Sequence, residues 1–286
     1  MIRSGRRIAV QPSSPPSPQW ATASGDAWAR RWKDTDAALD PLSPLLLGAI
    51  AASTPNDTVH AFEIGCGPGS TTLAVADLFP DAAIVACDLS PSLVEIARDR
   101  TAGRKGVRVQ LGDAEALAVA DGPFDLFFSR HGVMFFADPV RAFRAFRSAA
   151  NGRTAVVFSC FQAWGLNAWA SDLASAAGGR ELPKPGREPS GFAFADPDYV
   201  RQILGSSGWA AADPEDISFD YFAGETPAEA LSFLSELGPA SLILQSLPEA
   251  ERPAAVERMR AVIDEYSGGA GVVFPAAAWL WRASSD

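Results

Sequence analysis

Short apolar runs alternate with helix-like segments through the first 162 residues of the chain. Each run has the length of a buried strand, and most runs end at a glycine or an acidic residue. Two helix starts are marked by an N-cap followed by proline, at Ser90-Pro91 and Asp138-Pro139. Five strand-and-helix steps predict a mostly parallel sheet with right-handed crossovers. The predicted strands are residues 59–64, 83–87, 107–111, 124–129 and 154–161.

The pattern is different on either side of this region. Residues 27–50 have helical spacing interrupted by Pro41 and Pro44, which predicts two short helices. Residues 163–195 are aromatic and interrupted by glycine and proline. Beyond them the pattern predicts a helix, a strand, two helical stretches and a final strand, at residues 197–206, 217–222, 227–246, 250–266 and 272–281. We expect the final strand to close the sheet and the helices at 227–266 to form a lid.

The helix after Asp138-Pro139 has two different faces. Val140, Phe143 and Phe146 form its apolar side. The opposite side is basic, and we expect it to be a solvated face made of Arg141, Arg144 and Arg147.

The charge and the cysteines limit the partners of the protein. The chain has 34 acidic and 24 basic residues and a formal net charge of −10, which disfavours a nucleic-acid partner because phosphate binding depends on clustered Lys and Arg. Cys66, Cys87 and Cys160 are widely spaced, which predicts no disulfide framework and no metal site and favours a cytoplasmic location. No apolar run approaches the roughly 20 residues of a membrane span, so we expect no membrane partner.

A glycine cluster follows the first predicted strand. Because ligands of doubly wound sheets bind at such turns, Gly65, Gly67 and Gly69 indicate a nucleotide-like ligand. A dinucleotide fingerprint has its third glycine three positions after the second, where this chain has Ser70. This spacing weakens the hypothesis of an NAD(P)-dependent oxidoreductase, which stays open as an alternative.

The segment that runs from Glu63 through these glycines resembles motif I of the class I S-adenosylmethionine-dependent methyltransferases. The segment at 129–139 is similar to the bacterial small-molecule branch of that family, the methyltransferase-11/25-like branch. The resemblance implies an α/β fold, a Rossmann-like three-layer sandwich. It implies a seven-stranded, mostly parallel sheet with an antiparallel last strand, a helical N-terminal segment and a helical lid.

The resemblance also implies a role for each residue at the strand ends. It places S-adenosyl-L-methionine as the cofactor, with the methionine part and ribose near the glycine turn. Asp88 matches the acidic residue that accepts hydrogen bonds from the ribose hydroxyls, and Asp113 with Ala114 matches the adenine-contacting segment. Ser129 is expected on the far side of the methionyl group. The full predicted cofactor set is Glu63, Gly65, Cys66, Gly67, Gly69, Asp88, Leu89, Asp113, Ala114 and Ser129.

His131 is the candidate general base, because it is the histidine that lies near a strand end and an imidazole titrates near neutral pH. In the similar branch an aromatic residue often occupies this position, so a packing role is the competing interpretation. Flat rings suit an apolar or cationic acceptor. The candidate acceptor-pocket aromatics are Trp20, Trp28, Trp164, Trp169, Phe192 and Phe194.

The expected domain organisation is simple. Residues 1–19 are rich in Pro, Ser and Arg, which predicts a disordered tail. Residues 20–286 are predicted to form one methyltransferase domain. Its parts are a helical cap at 20–52, a cofactor-binding core at 53–162 and an acceptor and lid region at 163–286.

These observations predict methyl transfer to a small-molecule acceptor by in-line displacement. A second alternative is a regulatory protein that binds the cofactor without transferring its methyl group. The acceptor pocket is expected in variable segments, so the sequence does not identify the acceptor, the methylated atom or the oligomeric state.

Overall fold

The computed structural model describes residues 23–54, 59–181 and 184–285. The predicted tail at 1–19 and Trp20 therefore lie outside the described residues. None of the helices described is long and apolar enough to cross a membrane.

A single twisted sheet organises the described part of the chain. Its long strands are β1 (His60–Ile64), β2 (Ala83–Asp88), β3 (Val107–Leu111), β4 (Phe124–Arg130), β5 (Ala150–Phe161), β7 (Glu215–Gly224) and β9 (Gly271–Ser284), and its two-residue strands are β6 (Ala210–Ala211) and β8 (Ser267–Gly268). The order is β3-β2-β1-β4-β5-β9, and β7, β6 and β8 pair along β9. Strands β1 to β5 are parallel, whereas β9 is antiparallel to β5 and to β7. The predicted sheet is confirmed, with two very short strands added.

The helices pack on both faces of this sheet. In β1 every residue from Ala61 to Ile64 is buried, and since neighbouring side chains point to opposite faces, both faces are covered. The helices are α1 (Ala23–Arg30), α2 (Trp32–Leu39), α3 (Ser43–Ser53), α4 (Ser70–Leu78), α5 (Pro91–Thr101), α6 (Ala114–Asp121), α7 (Pro139–Ser148), α8 (Ala168–Gly178), α9 (Pro197–Ser206), α10 (Pro227–Glu236), α11 (Pro239–Ser246) and α12 (Arg252–Glu265).

Helix boundaries follow local signals where those signals are strong. Ser90 caps α5 and Asp138 caps α7, each accepting a hydrogen bond from a backbone N–H of the first turn. The stretch predicted as one helix at 227–246 is two helices, α10 and α11. They are separated at Gly238, which has φ +87° and approaches Trp169 so closely that a Cβ would lie 3.1 Å from its ring. Helices α6 and α8 were not predicted.

The basic side of α7 corrects the expectation of a solvated face. Arg144 donates to the carbonyl of Ser206, and Arg147 donates to the carbonyls of Gly208 and Ser285. Arg141 forms an ion pair with Glu115. The guanidinium groups therefore bind carbonyls and a carboxylate that long-range packing places beside the helix, which the helical period alone does not indicate.

Candidate active site

A cavity lies at the carboxyl ends of β1 to β4. Strand order reverses between β1 and β4, and such a reversal opens a crevice where ligands of α/β sheets bind. On its other side the cavity is bounded by α1 and α2. The lining residues are Trp28, Thr35, Asp36, Leu39, 63–68, Thr71, Cys87, Asp88, Leu89, Leu93, 112–115, 130–132, 135–137 and Arg141.

The cover of this cavity comes from the N-terminal helices. The predicted late helices are present, but they line no part of it, since the described residues after Arg141 are absent from its wall. Helix α10 packs on β7, and α11 and α12 pack on α8. Arg31, which lies between α1 and α2, binds Ser232 and Glu236 of α10, so the late helices contact the N-terminal helices outside the cavity.

The three glycines of the turn serve different purposes. All have positive φ, at +67° for Gly65, +52° for Gly67 and +84° for Gly69. A Cβ at Gly65 would meet Gly132 at 3.2 Å, whereas a Cβ at Gly67 would meet nothing within 4 Å. Gly67 therefore leaves space on the cavity side, where a ligand can approach the backbone.

Gly69 departs from its predicted cofactor contact. It does not line the cavity, and a Cβ there would lie 3.2 Å from Ala97 of α5. Its small size allows the start of α4 to pack closely against α5.

Asp88 connects the glycine turn to the end of β2. Its Oδ2 accepts from the backbone N–H of Gly67 and its Oδ1 accepts from that of Ser90, each at 2.9 Å. Burial raises the pKa of Asp88, and hydrogen bonds from these backbone groups act against that rise. A carboxylate has about four lone-pair positions, so Asp88 keeps acceptor capacity for a ligand. Leu89 lines the cavity next to it.

Asp113 and Ala114 line the cavity at the end of β3. Asp113 also caps α6, because its Oδ1 accepts from the backbone N–H of Glu115 at 2.8 Å. The turn-forming and ligand-contacting interpretations of Asp113 are therefore compatible, since the second carboxylate oxygen is not needed for the cap.

Glu63 is buried in the cavity floor. One of its oxygens accepts from the hydroxyl of Thr72 in α4, which joins β1 to that helix. Burial raises the pKa of Glu63 to about 8, and this hydrogen bond acts against the rise. Cys66 lies within the turn as a buried thiol and lines the cavity, and burial raises its pKa.

Ser129 has a different role from the predicted cofactor contact. It is fully buried and does not line the cavity. Its hydroxyl donates to the carbonyl of Ile64 at 2.7 Å and accepts from the N–H of Gly132 at 3.1 Å. Both sides of the hydroxyl are occupied by backbone, so Ser129 joins β1 to β4 below the ligand space.

His131 lines the cavity but does not have the properties of a general base. Its backbone is left-handed, with φ +60°, and its Nδ1 lies 2.8 Å from the hydroxyl of Ser159. Burial, with the nearby charge of Arg130, lowers the pKa of His131 to about 3. A nitrogen that binds a proton so weakly is a poor base at neutral pH. The base hypothesis is therefore not supported.

A charged cluster that sequence reasoning missed fastens the cap to the core. Asp36 of α2 accepts from Arg130 at 2.6 Å and from Arg100 at 2.9 Å, and also from the hydroxyl of Ser70. The partners lie 94 and 64 residues from Asp36, so no local pattern indicates them. Arg100 also donates to the carbonyl of Pro68, which links the cap to the glycine turn.

The predicted acceptor-pocket aromatics separate into two groups. Trp28 lines the cavity. The four others within the described residues, Trp164, Trp169, Phe192 and Phe194, are buried away from it. Phe161 lies in this group, with its ring centroid 5.1 Å from that of Trp169 and 5.6 Å from that of Phe192. Trp164 contacts the same group, and Phe194 packs on Phe158. Four of the predicted pocket residues are therefore core residues.

A Rossmann-like sheet with its cavity at the switch point defines an α/β domain of the nucleotide-binding type. Residues 62–155 match the family model described as "Methyltransferase domain". The YcgJ protein from Bacillus subtilis has the same fold, with a TM-score of 0.55 and 17% identity over 84% of this chain and 97% of that chain. The resemblance to the class I methyltransferases is confirmed over residues 62–155, the part of the chain that the family model matches.

Curated relatives share part of this domain. The chain is 45% identical over 65 residues to trans-aconitate 2-methyltransferase from Rhodococcus jostii, covering 22% of this chain and 24% of that protein. It is 26% identical over 172 residues to malonyl-[acyl-carrier protein] O-methyltransferase from Geobacter sulfurreducens, covering 60% and 63%. The chain thus spans less than two thirds of the length of these relatives. They give no support to a nicotinamide-dependent oxidoreductase.

Proposed function

We propose that this protein transfers a methyl group from S-adenosyl-L-methionine to a small-molecule acceptor. The observation that carries the proposal is the position of Asp88. Its carboxylate lies at the end of β2, beside an open Gly67, and keeps acceptor capacity beyond its backbone hydrogen bonds. A ribose diol needs such acceptors, and a nucleoside needs such an approach to the backbone.

The residues present fit this cofactor from one end to the other. The turn at 65–67 would hold the methionine part and ribose, Asp88 the ribose diol, and Asp113 with Ala114 the adenine. When bound, the cofactor supplies a methyl group on a sulfonium, which is already an electrophile. The work left to the chain is to align the acceptor and exclude water. The cover formed by α1 and α2 is suited to that task.

The acceptor class follows from the size and the cover of the site. The wall opposite the strand ends belongs to short helices with Trp28 and Leu39, which leave room for a small molecule. The names of the relatives, which specify trans-aconitate and a malonyl group carried on a protein, support acceptors of limited size at the reacting centre.

We also propose a cytoplasmic location and no nucleic-acid partner. The free, buried thiols of Cys66, Cys87 and Cys160 support a reducing compartment. The net charge of −10 supports the second point.

Isothermal titration with S-adenosylmethionine, S-adenosylhomocysteine and NADH tests the proposed cofactor. We expect the first two ligands to bind with micromolar affinity and NADH to show no heat of binding. Binding of NADH alone would contradict the proposal. Binding of S-adenosylmethionine with no methylated product across a broad acceptor panel would instead favour a regulatory protein.

Replacing Asp36 by asparagine should loosen the cap. Asp36→Asn removes the charge that holds Arg130, whose side chain is only 10% exposed, together with Arg100. We expect hydrogen exchange in residues 23–39 to become faster by about five- to tenfold, since weakening partly buried ion pairs favours local opening. The measurement is native-state exchange read by mass spectrometry.

The matched control for this prediction is Asp77→Asn, which disrupts the exposed ion pair with Arg104. Exposed pairs contribute little to stability, so exchange in residues 23–39 should stay as in the wild-type protein. Equal exchange in the Asp36 variant and this control would show that the cluster does not hold the cap.

A further inference from the structure

The ring of His131 is held in place from two sides. Its backbone N–H donates to the carbonyl of Ser159 at 3.2 Å, and its Nδ1 lies 2.8 Å from the hydroxyl of the same residue. The imidazole ring of His131 also packs edge-on against the ring of Phe161, and the two ring centroids are 4.2 Å apart. A residue with φ +60° is uncommon outside glycine, so this orientation depends on those contacts.

The hydroxyl of Ser159 determines which ring nitrogen carries the proton. Ser159 is buried, and within the described residues its hydroxyl has His131 Nδ1 as its hydrogen-bond partner. If Nδ1 donated, the hydroxyl proton would have no acceptor in a buried place, which is unfavourable. We therefore assign the hydroxyl as donor and Nδ1 as acceptor, so that Nε2 carries the N–H.

The Nε2 atom of His131 is a buried polar atom without a hydrogen-bond partner among residues 23–54, 59–181 and 184–285. Buried donors are nearly always paired, and an unpaired donor beside a ligand cavity indicates that a ligand supplies the partner. His131 lines the cavity together with Thr35 and Leu39 of α2, so a ligand held there lies next to the ring of His131.

The charges beside this atom favour an anion. Arg130 directly precedes His131, and both Arg130 and Arg100 form ion pairs with Asp36. This cluster therefore holds two guanidinium charges and one carboxylate charge. The other acidic groups of the cavity wall, Glu63, Asp88, Asp113 and Glu115, lie at or just beyond the ends of β1, β2 and β3, whereas His131 follows β4. The side of the cavity near His131 is thus the more positive side.

We propose that His131 donates a hydrogen bond from Nε2 to the methyl acceptor, and that the acceptor is an oxyanion, specifically a carboxylate. This inference rests on the proposed methyl transfer and deepens it. It replaces the idea of a general base, because an ionised carboxylate has no proton to remove. The low pKa of His131 agrees with a ring that stays neutral throughout the working pH range.

The reaction balances without a proton acceptor. The carboxylate oxygen forms a bond to the methyl carbon while the bond from that carbon to sulfur breaks, and the bonding pair stays on sulfur. The negative carboxylate becomes a neutral methyl ester as the positive sulfonium becomes a neutral thioether. The hydrogen bond from His131 orients the oxygen, so its main effect is on alignment.

Nitrogen-15 NMR tests the protonation state before any acceptor is known. The chain has two histidines, His60 and His131, so the spectrum of His131→Phe identifies the signals of His131. We expect the Nε2–H form at every pH from 5 to 8. A proton on Nδ1, or titration of His131 within this range, would overturn the proposal whether or not S-adenosylmethionine binds.

The acceptor class is tested with three probes that share one aromatic ring: benzoate, benzyl alcohol and benzylamine. Binding of each probe is measured in the presence of S-adenosylhomocysteine, and turnover is measured with S-adenosylmethionine. We expect benzoate to shift the His131 signals and to be preferred, and His131→Phe to lower kcat/KM for benzoate by about tenfold. The affinity for S-adenosylhomocysteine should change less than twofold. Ser159→Ala should disturb the NMR signals of the ring and lower turnover in the same direction. Preference for benzylamine, or no response of His131 to any of the three probes, would overturn the inference.

Discussion

Asp88→Ala is expected to weaken binding of S-adenosylmethionine by well over tenfold. The carboxylate offers its remaining acceptor capacity to the ribose diol, and hydrogen bonds to a charged group contribute about 1.5–3 kcal/mol each. The change also leaves the N–H groups of Gly67 and Ser90 without their acceptor, so the turn itself becomes less ordered. Titration calorimetry with the variant measures the loss.

Asp196→Ala is the matched control for that experiment. Asp196 also accepts from two backbone N–H groups, those of Asp198 and Tyr199, but it caps α9 away from the cavity. Its replacement should lower thermal stability slightly and leave cofactor affinity unchanged. Unchanged affinity in Asp88→Ala, measured well below its melting temperature, would contradict the ribose assignment.

Glu63→Gln is expected to stabilise the protein at neutral and higher pH. Burial raises the pKa of Glu63 from 4.5 to about 8, so between these values the folded chain holds a proton that the unfolded chain releases. The corresponding stability is fully present below pH 4.5 and is lost as the pH rises through 8. Glutamine stays neutral and can still accept from Thr72. The free energy of unfolding of the variant, relative to that of the wild-type protein, should therefore be roughly 3 kcal/mol higher at pH 7 than at pH 4.

Urea denaturation from pH 4 to 8.5 measures this effect. The wild-type free energy of unfolding should fall more steeply with pH than that of the variant. Glu95→Gln on the exposed face of α5 is the control and should run parallel to the wild-type protein. Parallel profiles for Glu63→Gln and the wild-type protein would show that the buried carboxyl group does not contribute to the pH dependence.

The strands of the core were predictable because their signal is local. Buried parallel strands are short continuous apolar runs, and the five runs up to residue 162 lie within or overlap β1 to β5, of which β5 begins four residues before its predicted start, at Ala150. Helix α9 begins and ends as predicted because Asp196 caps it and Pro197 opens it. Helix α6 was missed because the glycine and the acidic residue at its start were assigned to a ligand-binding turn. Helix α8 was missed because the apolar residues of its aromatic segment show no clear helical spacing.

The ends of the strands were predictable for a topological reason. Parallel strands place their carboxyl ends at one edge, so Glu63, Asp88, Asp113 and His131 had to meet once the strand order was known. The roles within that edge were less predictable. Ser129 and Gly69 lie at the expected positions along the chain, but their atoms are occupied by backbone contacts that only close packing creates.

The sequence alone determined the alternation of strands and helices, the glycine turn and the acidic residue at the end of β2, because each of these features depends on residues that are neighbours in the chain. The tertiary structure decided what covers the cavity and what His131 can do. The contacts of Asp36 with Arg130 and of His131 with Ser159 join residues 94 and 28 positions apart. Such pairs, and the burial that shifts the pKa of His131 and Glu63, exist only after the chain has packed, and so no local pattern records them.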